Sequence, residues 1–292
     1  MAGTPELVLD ARALLGEGPV WDAPRGRLLW VDIEGFAVHV HDPATGGDRA
    51  VPVGEHVGCV APRAAGGLVV ALRRGLAVLD PDTGVLDHRT APPGHPPDVR
   101  FNDGRTDPEG RLWAGTMALS LRPGAADLWR LDPDWTLHRM VEGVTVSNGL
   151  AWTADASTLY YIDTPTRSVA AFDYDRARGT ISGRRVAIAV PEAMGSPDGM
   201  AIDAADDLWV AQWDGGCVGC WDPRTGRLRE RFDFPARRVT SCAFGGAGLD
   251  ELYVTSARTG LDADTLARQP LSGGIFRLRP GATGVASVPF AG

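Results

Sequence analysis

One β-rich segment occurs six times along the chain, and a repeat of this kind leaves few folds open. The copies are LLWVDI (28–33), GLVVAL (67–72), RLWAGT (111–116), TLYYID (158–163), DLWVAQ (207–212) and ELYVTS (251–256). A further strand follows each one, usually closing on Asp-Pro or a Gly turn, as in VHVHDPATG (38–46), LAVLDPDTG (76–84) and VGCWDPRTG (218–226). A short apolar strand precedes each copy, and a more polar one, such as DRAVPV (48–53) or RLRERFDF (227–234), follows most turns. Aromatic and β-branched residues between turn residues read as strands rather than helices. Four short strands recurring every 40 to 50 residues make a propeller blade. The expectation is therefore an all-β chain, one domain over residues 1–292, built as a six-bladed β-propeller with four-stranded blades around a central channel. The early segment ELVLDA (6–11) is free to supply the outer strand of the last blade and so close the ring.

Composition narrows the function. The formal charge of −8 argues against a nucleic-acid groove or an anionic membrane as partner. Every one of the 29 basic residues is Arg, which removes Schiff-base and P-loop lysine chemistry. The N-terminus lacks a basic start followed by an apolar run, and no stretch approaches a membrane span, so a cytoplasmic location is expected. Cys217 and Cys220 form a CxxC in a strand-like segment with no helix after it, and read as reduced strand cysteines. His39 and His41 alternate along one strand and read as a solvated face rather than a metal pair. No histidine falls at the level singled out next.

Aligning the six units on their first strands puts Glu17, Val57, Asn102, Asn148, Asp198 and Thr240 at one equivalent position, spaced by 40, 45, 46, 50 and 42 residues. The innermost strands of a propeller line its channel, so equivalent positions form a ring at one end. Gly follows Glu17, Val57, Asn148 and Asp198 directly, which would let the backbone turn sharply there. Converging carboxylates with no basic partner repel, and burial worsens the penalty. A divalent cation relieves it. The oxygen donors of Glu17, Asn148 and Asp198 point to Ca²⁺, Mg²⁺ or Mn²⁺, while Zn²⁺ or Fe²⁺ in an open catalytic site stays possible. Taken singly, Asp-Gly and Asn-Gly are ordinary turn sequences. Arg100, two residues before Asn102, belongs at the rim, where its donors suit hydroxyls or a carbonyl of a polyoxygenated ligand. Asp103 reads equally as a supporting residue, a turn residue or a general base. The segment 117–129 lies at the same end and has the character of a lid.

At these residues the chain resembles the SMP-30/gluconolactonase/LRE-like family. The stretches that carry the resemblance are LGEGPVWD (15–22), RFNDGRTDPEGRLWAGTM (100–117), VSNGLAWTAD (146–155), FDYD (172–175), PDGMAID (197–203) and ARTGLDADTLARQPLSGGIF (257–276). Together they run nearly end to end. The resemblance implies a six-bladed propeller with one catalytic divalent metal that hydrolyses aldonolactones. It implies Glu17, Asn148 and Asp198 as ligands, Arg100 and Asn102 as substrate contacts, and Asp198 as general base. The function expected is hydrolysis of a sugar lactone to the aldonic acid. The metal would polarise the carbonyl, with Asp198 or a metal-bound hydroxide as base. The alternative is a non-catalytic calcium-binding propeller scaffold. One departure stands out: animal members carry acids just after GTM, one of which contacts sugar hydroxyls, whereas here ALSLRPG follows, with Ser120 near that place.

Overall fold

The computed structural model describes residues 3–292. Six four-stranded antiparallel sheets form the blades. Their inner strands are Gly16–Asp22, Val57–Pro62, Val99–Thr106, Ser147–Trp152, Ser196–Ile202 and Val239–Gly245. Each inner strand packs against the next in chain order, and the sixth packs against the first, so the sheets close into a ring. The sixth blade is completed by the N-terminal strand Glu6–Leu9, which pairs antiparallel with Ile275–Leu278. The expected ring closure is the one found.

Polarity rises from the axis outward, and this explains the strand pattern in the sequence. Inner and second strands are buried almost throughout, as in Val57–Pro62 and Leu68–Leu72. Outermost strands such as Leu86–Thr90 and Arg227–Asp233 are largely exposed and carry the charges. The core is a set of apolar layers between neighbouring blades, each layer drawing on two sheets.

The two ends of the ring differ. Inner strands begin at one end with the aligned residues and finish at the other in tight turns built on Asp. Asp203 Oδ1 accepts the N–H groups of Ala205 and Asp207, and its Oδ2 accepts the Trp209 indole N–H at 2.9 Å. Asp107 repeats the arrangement with Glu109, Arg111 and Trp113. Across this far end runs the C-terminal segment. It bonds to Leu249 of blade 6, Ala204 of blade 5, Thr106 and Gly110 of blade 3, and Pro62 and Ala64 of blade 2. Phe290 is fully buried there. The sequence held no sign of this strap.

Two expectations change. Of the segment 117–129 expected as a lid, only residues 119–125 lie outside strands. His41 is 1% exposed, with both ring nitrogens unpartnered, and His39 stacks on Trp30 at 3.8 Å. That strand face is therefore packed rather than solvated. The cysteines are as expected: free and buried, with burial pushing the Cys217 and Cys220 thiols up to about 11 and about 12.

Candidate active site

The antiparallel register slips once in every inner strand, always at the aligned level. The slips fall between Glu17 and Val20, Val57 and Cys59, Phe101 and Gly104, Ser147 and Leu150, Pro197 and Met200, and Val239 and Cys242. Such bulges free residues from the ladder and re-aim their side chains. Asn102, Asp103, Asn148 and Asp198 all sit inside one. The Asn-Gly and Asp-Gly pairs are thus bulges within strands, not turns between blades. Of the glycines after the ring residues, Gly18 takes the expected sharp turn with φ 51°, whereas Gly58 and Gly199 serve close packing instead. A Cβ on Gly199 would stand 2.1 Å from Ser241 Oγ, and one on Gly58 would stand 2.3 Å from the Asn102 carbonyl oxygen. Gly is needed because the next inner strand lies against it.

Glu17, Arg100, Asn102, Asp103, Asn148 and Asp198 are all buried at this one end. The other two ring positions take no part: Val57 is core, and Thr240 donates to the Gly16 carbonyl at 2.5 Å, tying blade 6 to blade 1. Polar contacts organise the rest. Arg100 Nη1 donates to Asn102 Oδ1 at 2.6 Å and to the Phe101 carbonyl at 2.9 Å. Asn102 Nδ2 donates to the Ser147 carbonyl at 2.7 Å and to Asn148 Oδ1 at 3.0 Å. Asn148 Nδ2 donates to Thr164 Oγ1, whose hydroxyl donates to the Pro197 carbonyl just before Asp198. The amide of Asn102 is therefore spent on Asn148. Arg100, in contrast, keeps Nε and Nη2 without a protein acceptor among the described residues.

Electrostatics set this end apart. Burial, then the charge of Asp103, pushes the Glu17 carboxyl up to about 8. Asp198 is raised well above the usual carboxylate range by burial, then by Glu17 and Asp103. Asp103 is itself raised by burial. Arg100 is pushed down to about 10 by burial, against the pull of Glu17, Glu34 and Asp198. Glu17 and Asp198 thus act on Arg100 while Arg105 acts on Asp103, so three buried carboxylates meet two guanidiniums and the excess is negative. An oxygen-only donor set with surplus negative charge fits a hard divalent cation.

Several contributors escaped the sequence reading. Asp32 accepts the N–H groups of Leu14 and Leu15, and Asp163 those of Thr145 and Val146, immediately before Glu17 and Asn148 respectively. The signal was present, since LLWVDI and TLYYID are the two repeat segments that carry this Asp. Glu34 and His56 stand at the rim, close enough for Glu34 to act on both Arg100 and His56. A second acidic cluster, Asp203, Asp207 and Cys220, gathers at the far end. Its oxygens are taken by backbone N–H groups, the Trp209 indole and Arg229, and its thiol is pushed up to about 12, so it is a structural knot. A cleft of about 370 Å³ between Pro92, His95, Trp129 and Arg139 includes none of the ring residues.

Fold and site together define a six-bladed propeller with an acidic, oxygen-lined pocket at one end of its channel. The chain belongs to the SMP-30/gluconolactonase/LRE-like family, whose model matches residues 15–258. It is 41% identical to regucalcin of Xenopus laevis over 98% of both chains. It is 36% identical to the "Putative sugar lactone lactonase YvrE" of Bacillus subtilis, also over 98% of both. The crystal structure of a calcium-binding protein, regucalcin, from Agrobacterium tumefaciens superposes with a TM-score of 0.94 at 28% identity, covering 99% of this chain and 97% of that one.

Proposed function

We propose that this chain hydrolyses a sugar-derived lactone to the aldonic acid, using a divalent cation held by Glu17, Asn148 and Asp198. The observation that carries the proposal is the convergence of buried, mutually repelling carboxylates beside Arg100, whose guanidinium keeps unspent donors. Such a pocket costs stability and persists where function needs it. Similarity to proteins named as a lactonase and as a calcium-binding regucalcin supports both halves of the reading.

A bound divalent cation supplies Lewis-acid polarisation of the lactone carbonyl. The chain's own groups do the rest. Asp198, placed beside the site where water would add, accepts the proton of the water that adds to the carbonyl carbon. Arg100 directs its free N–H groups at the substrate's oxygens and holds the ring against the ring of donors. Asn102 keeps Asn148 Oδ1 turned into the channel and takes Arg100 on its own carbonyl oxygen. When the ring C–O bond breaks, the proton held by Asp198 passes to the departing ring oxygen, which becomes a hydroxyl. Lactone and water are then accounted for in one aldonic acid.

The test is proton release on a panel of aldonolactones, using chelated protein and protein restored with Ca²⁺, Mg²⁺, Mn²⁺, Zn²⁺ or Fe²⁺. Turnover lost on chelation and regained with a metal supports the proposal. Chelation that lowers only the melting temperature, with no lactone turned over before or after, would favour the calcium-binding scaffold.

A further inference from the structure

The mouth of the channel carries an acid that the ring does not explain. Glu34 lies in the turn after the second strand of blade 1, Arg27–Asp32, which ends at the same end of the propeller as Glu17. It is half-buried. Its Oε2 accepts the hydroxyl of Thr259, from the loop after the second strand of blade 6, at 2.6 Å. Thr259 is fixed in turn, because its carbonyl accepts Arg238, whose guanidinium lies over the Trp213 ring at 4.6 Å and bonds Asp214. Rim contacts from blades 5 and 6 therefore hold the Glu34 carboxylate in one place, while its Oε1 has no protein donor among the described residues.

Glu34 also reaches inward. Blades 1 and 3 are not neighbours, yet the charge of Glu34 acts on Arg100, as do those of Glu17 and Asp198. Between them, on blade 2, sits His56, its proton affinity held down by burial and then by Arg100 and Arg73, with the Phe36 ring edge-on at 4.9 Å. The turn carrying Glu34 thus stands against His56, the residue just before ring position Val57, so a ligand seated against Arg100 and reaching out of the channel extends toward both. A carboxylate with a free oxygen accepts from hydroxyls, whereas a bare hydrocarbon ring offers it nothing.

We infer that Glu34 is a specificity-determining residue, accepting hydrogen bonds from hydroxyl groups on the part of the substrate that faces out of the channel. This assignment rests on the lactone reading for the reaction but concerns a different group of atoms. It makes the preferred ligand a polyhydroxylated ring rather than an aliphatic or aromatic ester.

The experiment compares the wild-type protein, Glu34→Gln and Glu34→Ala on glucono-δ-lactone and on δ-valerolactone, which has the same ring without hydroxyls. Glu34→Gln preserves shape and an acceptor for Thr259, so it keeps the fold, and matched melting temperatures check this. The expected result is KM for the hydroxylated lactone raised about ten-fold or more, with kcat changed less than three-fold and the loss on δ-valerolactone no more than two- to three-fold. Equal losses on both substrates, or none on either, overturn the assignment. If wild-type protein hydrolyses no lactone, the reaction reading falls by itself. Glu34 is then judged by calorimetric binding of gluconate and glucitol, where a ten-fold weakening of both in Glu34→Gln supports it and unchanged or undetectable binding rejects it.

Discussion

Asp163 Oδ1 accepts the Val146 N–H at 2.9 Å, two residues before Asn148. Both oxygens also receive the Thr145 N–H at 3.2 Å. A carboxylate at the end of one strand thus fixes the entry of the neighbouring inner strand, whose bulge aims Asn148 into the channel. Asp32 does the same before Glu17. Removing Asp163 leaves two backbone donors to find water and loosens the strand that carries Asn148. Asp163→Ala is expected to weaken metal binding about 10- to 100-fold, the usual cost of losing a group that orients a ligand. Asp163→Asn, which keeps one acceptor, should lose less. Calorimetric titration of chelated protein with Ca²⁺ or Mn²⁺ measures both, and metal affinity equal to wild type in Asp163→Ala would show that the bond positions nothing.

The repeat made the blades, their number and the N-terminal ring closure readable, because each depends on local strand pattern and on a period that survives divergence. The ring of Glu17, Asn102, Asn148 and Asp198 was readable for the same reason: equivalent positions in equivalent units share a height along the axis. Glu34 and His56 were not picked out, since each sits in a turn outside the repeat, and Asp32 and Asp163 were not, since their backbone partners lie 17 or 18 residues away in their own blade. The role of Gly58 and Gly199 was misjudged. A sequence shows a residue without a side chain but not the strand packed against it. The C-terminal strap had no repeat to align with, and its contacts with four blades are visible only in three dimensions.

Asp203 gives a prediction of the opposite kind. Its two oxygens serve the Ala205, Asp207 and Trp209 donors at the far end of blade 5, well away from the ring. Asp203→Ala strands three donors, two of them buried, and should cost about 2–3 kcal/mol. For a chain of this size that is a fall in melting temperature of roughly 3–5 °C. Turnover per folded molecule and metal stoichiometry should be unchanged. A lost metal equivalent in Asp203→Ala would instead make Asp203, Asp207 and Cys220 a second cation site.

His41 sets a pH dependence. It is buried without a partner for either nitrogen, and Asp48, which faces it across the strand pair, is already taken by His39 and Trp30. Asp48, then the Gly47 backbone and Asp42, pull its proton affinity up, each more weakly than burial lowers it. Burial lowers its proton affinity below the ordinary value of 6.5. The unfolded chain therefore takes up this proton at higher pH than the folded one. Stability is retained above about pH 6.5 and drains away as pH falls below it, by at most about 1.4 kcal/mol per pH unit for one group. Replacing the imidazole by a side chain that does not titrate, as in His41→Leu, should flatten the curve between pH 6.5 and 5. Melting temperatures of wild type and variant that fall in parallel over that range would locate the acid sensitivity elsewhere.

Glu17 and Asp198 carry the sharpest prediction, because activity and metal-free stability should move in opposite directions. Each is a carboxyl whose charged form is disfavoured by burial and then by neighbouring charge, that of Asp103 for Glu17 and those of Glu17 and Asp103 for Asp198. At neutral pH the metal-free pocket must either hold protons or bear that repulsion, and a bound cation removes the conflict. Glu17→Gln keeps the shape while deleting one charge, so the chelated variant should melt higher than the chelated wild type. Added Ca²⁺ or Mn²⁺, which raises the melting temperature of the wild type by preferential binding to the folded state, should raise that of the variant far less. Lactone turnover should fall by about 10³-fold or more in Glu17→Gln and in Asp198→Ala, since the proposed reaction would lose a ligand in the first and both a ligand and the base in the second. The two readouts are needed together. A variant that is merely misfolded would lose activity and melt lower. Wild-type turnover rates in either variant after exhaustive chelation would remove these carboxylates, and the cation with them, from the reaction.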